Sequence, residues 1–94
     1  MKVIGIPLLD RFAAKHADVR SILGAWLEEV KFADWKTPSD IKDKYKATSF
    51  LANNIVVFNI KRNDYRLVAK IAYNTGIVKI ERLGTHAEYS KWKL

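Results

Sequence analysis

Between residues 55 and 83 apolar side chains recur at every second position, in three runs, 55–61, 65–73 and 77–83, separated by turn-forming residues. A period of two marks strands with one buried face. Asn63-Asp64 and Thr75-Gly76 read as two-residue hairpin loops, the first the weaker because it lacks glycine. That closure sets Lys61 opposite Arg66, Phe58 opposite Ala69, Ile71 opposite Ile80 and Lys70 opposite Glu81. One face then collects Val56, Phe58, Ile60, Leu67, Ala69, Ile71, Val78 and Ile80. The other collects Val57, Asn59, Lys61, Arg66, Val68, Lys70, Lys79 and Glu81. A one-residue slip would mix the faces. The expected fold is therefore α+β: helices cover one face of an antiparallel sheet, and a basic face stays open. Arg82 falls on the apolar side, and a bulge near Gly84 is the device that could turn it outward.

The first half supplies the helices. Residues 2–6 read as a short strand ended by Pro7. Leu8, Leu9, Phe12, Ala13 and His16 recur at helical spacing, and so do Ile22, Leu23, Trp26, Leu27 and Val30, with Asp18 as the expected N-cap. Thr37-Pro38-Ser39-Asp40 opens a third helix with Thr at the cap and Pro at the first position. Thr85-x-x-Glu88 is a capping box that starts a short C-terminal helix at His86.

At 94 residues there is room for one core, so 1–94 is expected to be a single domain. Zero cysteines exclude disulfides, thiolate metal sites and a cysteine nucleophile. With two histidines and no phosphate-loop, H-E-x-x-H or G-x-S-x-G pattern, neither a cofactor nor a metal is expected. No apolar run is long enough to span a bilayer, and Gly5, Pro7 and Asp10 interrupt any signal-peptide core. The expected location is the cytoplasm. The net charge is +7, of which residues 48–94 carry +5. Such an excess suits a polyanion, though a basic surface without a specific ligand has the same composition.

The candidate chemistry lies near the end of the sheet. His86 and Tyr89 share a helix face at i and i+3. Free N–H groups at the helix start would favour a phosphate beside His86. Lys61 facing Arg66 places like charges together, which makes sense if an anion lies between them. Lys70 has Glu81 as an expected structural partner. His16 reads as a structural, partly buried histidine. Trp26 lies in a core stripe and Trp35 near a helix end, while Trp92 either stacks on a base or, more simply, docks the terminal helix.

These residues carry a resemblance. Trp26-Leu27-Glu28-Glu29-Val30, Ala33-Asp34-Trp35-Lys36-Thr37-Pro38, Asn53-Asn54, Val57-Phe58-Asn59-Ile60-Lys61, Asn63, Tyr65-Arg66-Leu67-Val68 and Gly84-Thr85-His86-Ala87-Glu88-Tyr89 stand in order along the chain. In that order and spacing the sequence resembles the HigB-type toxins of bacterial toxin–antitoxin pairs, within the RelE-like group of messenger-RNA endonucleases. The resemblance implies cleavage of messenger RNA in the ribosomal A site and inhibition by a helix-turn-helix antitoxin. It implies a site made of Arg66, His86 and Tyr89. Relatives place lysines along the strand before Arg66, whereas Val57 and Asn59 stand here and leave only Lys61. Arg66 is the expected stabiliser of phosphoryl charge. His86 and Tyr89 are the expected proton-transfer pair, with acid and base unassigned between them, and Tyr89 is alternatively a phosphate-orienting group. Lys61, Arg62, Lys70, Lys79, Arg82 and Lys91 are the expected RNA-binding residues. The alternative is a module that binds RNA or the ribosome and blocks translation without cutting.

Overall fold

A computed structural model describes residues 1–93; the last residue of the expected 1–94 domain lies outside them. The order is β1 (Lys2–Ile4), α1 (Ile6–Lys15), α2 (Arg20–Phe32), α3 (Pro38–Lys44), β2 (Thr48–Phe50), β3 (Ile55–Ile60), β4 (Tyr65–Ala72), β5 (Ile77–Thr85) and α4 (His86–Tyr89), with 3₁₀ turns at Ala17–Val19 and Ala52–Asn54. The strands form one sheet in the order β1-β5-β4-β3-β2. The fold is α+β, as expected, but the sheet is mixed. β1 runs parallel to β5, while the other pairs are antiparallel. A parallel pairing needs a long crossover, and the chain between these two strands provides it. β2 has three residues, too few to show a period of two.

Both hairpin registers differ from the expected ones by two residues. Ile60 pairs with Tyr65, so Lys61–Asp64 is a four-residue loop, and Phe58 faces Leu67 rather than Ala69. The left-handed residues fall at Lys61 (φ 49°) and Arg62 (φ 62°), not at Asn63-Asp64. Each costs about 1 kcal/mol or more without a glycine. The second loop also has four residues, because Ala72 pairs with Ile77 and Gly76 takes φ 71°. A shift of two leaves every side chain on its face. All eight residues assigned to the apolar face therefore lie in the core beneath the helices.

A bulge does occur in β5, at Glu81 rather than near Gly84. Ala69 pairs with Ile80 and Val68 with Arg82, which leaves Glu81 unpaired. The extra residue moves Arg82 from the helix face to the open face, opposite Val68. On the loop side of the bulge, the longer hairpin loop sets Lys70 opposite Lys79 instead of Glu81, and Glu81 lies 3.9 Å from Lys79.

The core centres on Phe58, which is 1% exposed. Trp26, Tyr45 and Trp35 surround its ring at centroid distances of 5.4, 5.4 and 6.1 Å. α2 contributes Leu23, Trp26 and Val30 at the expected spacing. Asp40 carboxylate oxygen accepts from the Lys36 and Thr37 N–H groups and fixes the start of α3. Asp18 does not cap α2. Val19 takes that place, and Asp18 turns toward the β3–β4 loop.

Candidate active site

The open face is organised around Arg66, which is only 8% exposed. It stands opposite Asn59 on β3 and Gly84 on β5. Its Nη1 donates to the carbonyls of Asn63 (2.8 Å) and Tyr65 (3.2 Å). Its guanidinium carbon lies 5.5 Å from the centroid of the Tyr89 ring. Among the described residues no carboxylate forms an ion pair with it. Carbonyl dipoles and a π face satisfy hydrogen bonds and desolvation without cancelling the charge. The site thus holds a positive charge in fixed orientation, with Nε and Nη2 not engaged among the described residues.

Tyr89 reaches Arg66 because α4 begins directly at the end of β5. Glu88 N–H donates to Thr85 Oγ1 (3.2 Å), and Thr85 N–H donates to Glu88 Oε1 (2.8 Å), forming the expected capping box. Thr85 N–H, foremost, holds the Glu88 carboxyl below its ordinary range, with Lys15 and His16 adding to the effect.

His86 is exposed at the first position of α4. The expected backbone cradle for a phosphate is not formed there. The His86 N–H already donates to Asp64 O at 3.0 Å, and the Glu88 N–H is used by the cap. α4 is also a single turn of four residues, so few peptide dipoles align. The structure brings Arg66 and Tyr89 together and leaves the His86 side chain exposed at the same end of the sheet.

Lys61 does not face Arg66, since the longer loop puts Asn59 there. Its Nζ instead donates to Asp18 Oδ2 at 2.8 Å, and Tyr65 OH donates to the same oxygen at 2.9 Å. Lys61 first, then Tyr65, holds the Asp18 carboxyl below its usual range, and Asp18 raises both partners. The like charges that face each other across the sheet are Lys70 and Lys79, not Lys61 and Arg66. Those two lysines are directly opposite on the open face and both are exposed. Arg62 sits exposed in the left-handed loop, and Lys91 is exposed just beyond α4. His16 stacks on Phe12 at 4.3 Å and meets Tyr65 edge-on at 5.2 Å, in keeping with a structural role.

Three participants were not legible as such. Asn63 supplies the carbonyl that orients Arg66. Asp18 ties down the loop carrying that carbonyl, 43 residues from Lys61 in sequence. Gly84 makes room for Trp92, whose ring lies against it. A glycine inside a strand is a signal of close approach as well as of a bulge.

Among the described residues no cluster of three or more His, Cys, Asp or Glu side chains could hold a metal ion. Among the described residues no helix is long and apolar enough to cross a membrane.

A protein-family model described as HigB_toxin, the RelE-like toxic component of a toxin–antitoxin system, matches residues 19–92. A search of curated proteins finds no match.

Proposed function

This chain belongs to the HigB family, the RelE-like toxic components of toxin–antitoxin systems, and we propose that it is a ribosome-dependent endoribonuclease that cuts translated messenger RNA. Its partner is an antitoxin; we read that antitoxin as a helix-turn-helix protein and the site of action as the cytoplasm. The observation that carries the reading is the buried Arg66, free of a carboxylate partner among the described residues and held 5.5 Å from Tyr89.

RNA contains its own nucleophile. The 2′-OH attacks the adjacent phosphorus, the 5′-oxygen leaves, and a 2′,3′-cyclic phosphate remains. A metal-bound water is not required for that step. The enzyme removes the 2′ proton, returns a proton to the 5′-oxygen and stabilises the added phosphoryl charge. Arg66 supplies the charge, with a planar fork that matches phosphate oxygens. His86 and Tyr89, at the two ends of α4, handle the protons, one as base and the other as acid. Lys70, Lys79 and Arg82 carry the RNA backbone along β4 and β5. Arg62 and Lys91 flank the same end, and Lys61 acts through the loop.

A module that only blocks the ribosome would use the same basic surface. A tyrosine held against a buried arginine, with a histidine exposed three residues before it on α4, favours cutting, because binding alone needs no proton-transfer pair. Expression in translating cells with mapping of new messenger 5′ ends decides between them. Cuts confined to translated regions support cleavage. Arrest of translation with intact messages would support blocking.

A further inference from the structure

Trp92 occupies the space that a side chain at position 84 would need. A Cβ on Gly84 would lie 2.6 Å from Trp92 Cζ2 and 2.8 Å from Cη2. Those distances are well inside carbon–carbon contact. Gly84 stands opposite Arg66 in the sheet, so the indole is seated on the residue paired with Arg66. The Trp92 ring meets Tyr89 edge-on at 5.9 Å, and Arg82 places its guanidinium carbon 5.3 Å from the Trp92 ring centroid. Two rings stand between two cations in one row: Arg66, Tyr89, Trp92, Arg82. Arg82 joins the row because of the bulge at Glu81.

α4 cannot hold Tyr89 in place by itself. Its four residues are far fewer than an isolated helix needs to persist in water. The capping box fixes its start, but nothing in that box restrains the following turn. Trp92 supplies the second tie, with its backbone N–H donating to Tyr89 O at 3.0 Å and its ring on Gly84. Gly84, Arg82 and Tyr89 already surround the indole, which argues for a spacer over a platform for a base.

We propose that Trp92 is a positioning residue that, seated on Gly84 beneath Arg82, holds the Tyr89 ring against the Arg66 guanidinium. For catalysis this rests on the reading of Arg66 and Tyr89 as the site; the geometry itself is testable without RNA.

The test uses Trp92→Ala, Trp92→Phe and Gly84→Ala in the full chain. Tyr89 should shift the Arg66 Cδ protons upfield through its ring current, visible by NMR in the free protein. Trp92→Ala should abolish that shift while the core methyl signals of Val78 and Ile80 stay put, and Trp92→Phe should restore most of it. Gly84→Ala, which displaces the indole from below, should have the same effect as Trp92→Ala and add little to it in the double variant. In a cleavage assay on translating ribosomes, Trp92→Ala should lower kcat on the order of 10–100-fold with a smaller change in KM. Unchanged Arg66 shifts in Trp92→Ala and Gly84→Ala would overturn the proposal. Collapse of the core methyl signals in both would also overturn it, by making Trp92 part of the fold's support. If the wild-type chain cuts nothing yet the Arg66 shifts behave as described, the positioning stands and the assigned reaction fails.

Discussion

Arg66 lies directly across the β4–β5 ladder from Gly84, so the buried guanidinium faces a residue with no side chain of its own. The space is taken by Trp92 and, through it, by Tyr89. Arg66 is thereby enclosed by an aromatic ring, a loop carbonyl at Asn63 and the Tyr65 carbonyl at the start of β4. Arg66→Ala should lower messenger cleavage by roughly 10²-fold or more. Arg66→Lys should rescue little, since an ammonium lacks the planar fork. Circular dichroism should show both variants folded. Cleavage of either at the wild-type rate would remove Arg66 from the mechanism.

Phe58 is 1% exposed and sits opposite Leu67. Phe58→Ala should cost about 3–5 kcal/mol in urea unfolding. A double-mutant cycle with Leu67→Ala should show coupling between the two, whereas Ala69 lies two pairs further along, opposite Val56. A cost under about 1 kcal/mol would mean that Phe58 is not in the core.

Lys70 and Lys79 face each other on the open side. Directly opposed like charges cost up to about 1 kcal/mol, a cost relieved when phosphate lies between them. Lys70→Gln should leave the free protein equally or slightly more stable. It should also flatten the salt dependence of RNA binding by about one unit in log K against log salt. Binding measured across a salt series checks this, and an unchanged slope would take Lys70 off the RNA path.

Asp18 and Glu88 both have carboxyls held below their ordinary ranges by hydrogen bonds made only in the folded chain. A depressed folded-state value means that each contributes fully above its ordinary value. The contribution is lost as pH falls through the depressed value. Acidification should therefore release Lys61 and Tyr65 from Asp18 and the Thr85 N–H from Glu88. An NMR pH titration should show the Tyr65 ring signals moving on the acid side of 3.8, the ordinary Asp value. In Asp18→Asn that movement should vanish. Its persistence would show that the ring responds to another group.

The division of the sheet into two faces was legible because it depends only on parity. Both loops are two residues longer than the turn residues suggest, yet up to the bulge at Glu81 every side chain keeps its face. The loops themselves were not legible. Lys61 and Arg62 carry no sequence mark of a left-handed backbone, and tertiary bonds from Asp18, Arg66 and His86 hold that loop. β1 and β2 have three residues each, too short for a pattern to declare a partner or a direction. At the site, the capping box located Tyr89 and the resemblance pointed to Arg66. Their contact, and the seat of Trp92 on Gly84 beside it, are features of packing that no sequence pattern marks.

The central claim is that Arg66, His86 and Tyr89 make an RNA-cutting site. The most direct test is a purified translating-ribosome reaction comparing the wild-type chain with a folded His86→Ala, Tyr89→Phe double variant, with the chemistry of the fragment ends determined. The account predicts wild-type fragments ending in 2′,3′-cyclic phosphate or its hydrolysed form. It predicts cleavage by the double variant lowered by roughly 10²-fold or more. A double variant that cuts at the normal rate would contradict it and move the search to Arg62, Arg82 and Lys91.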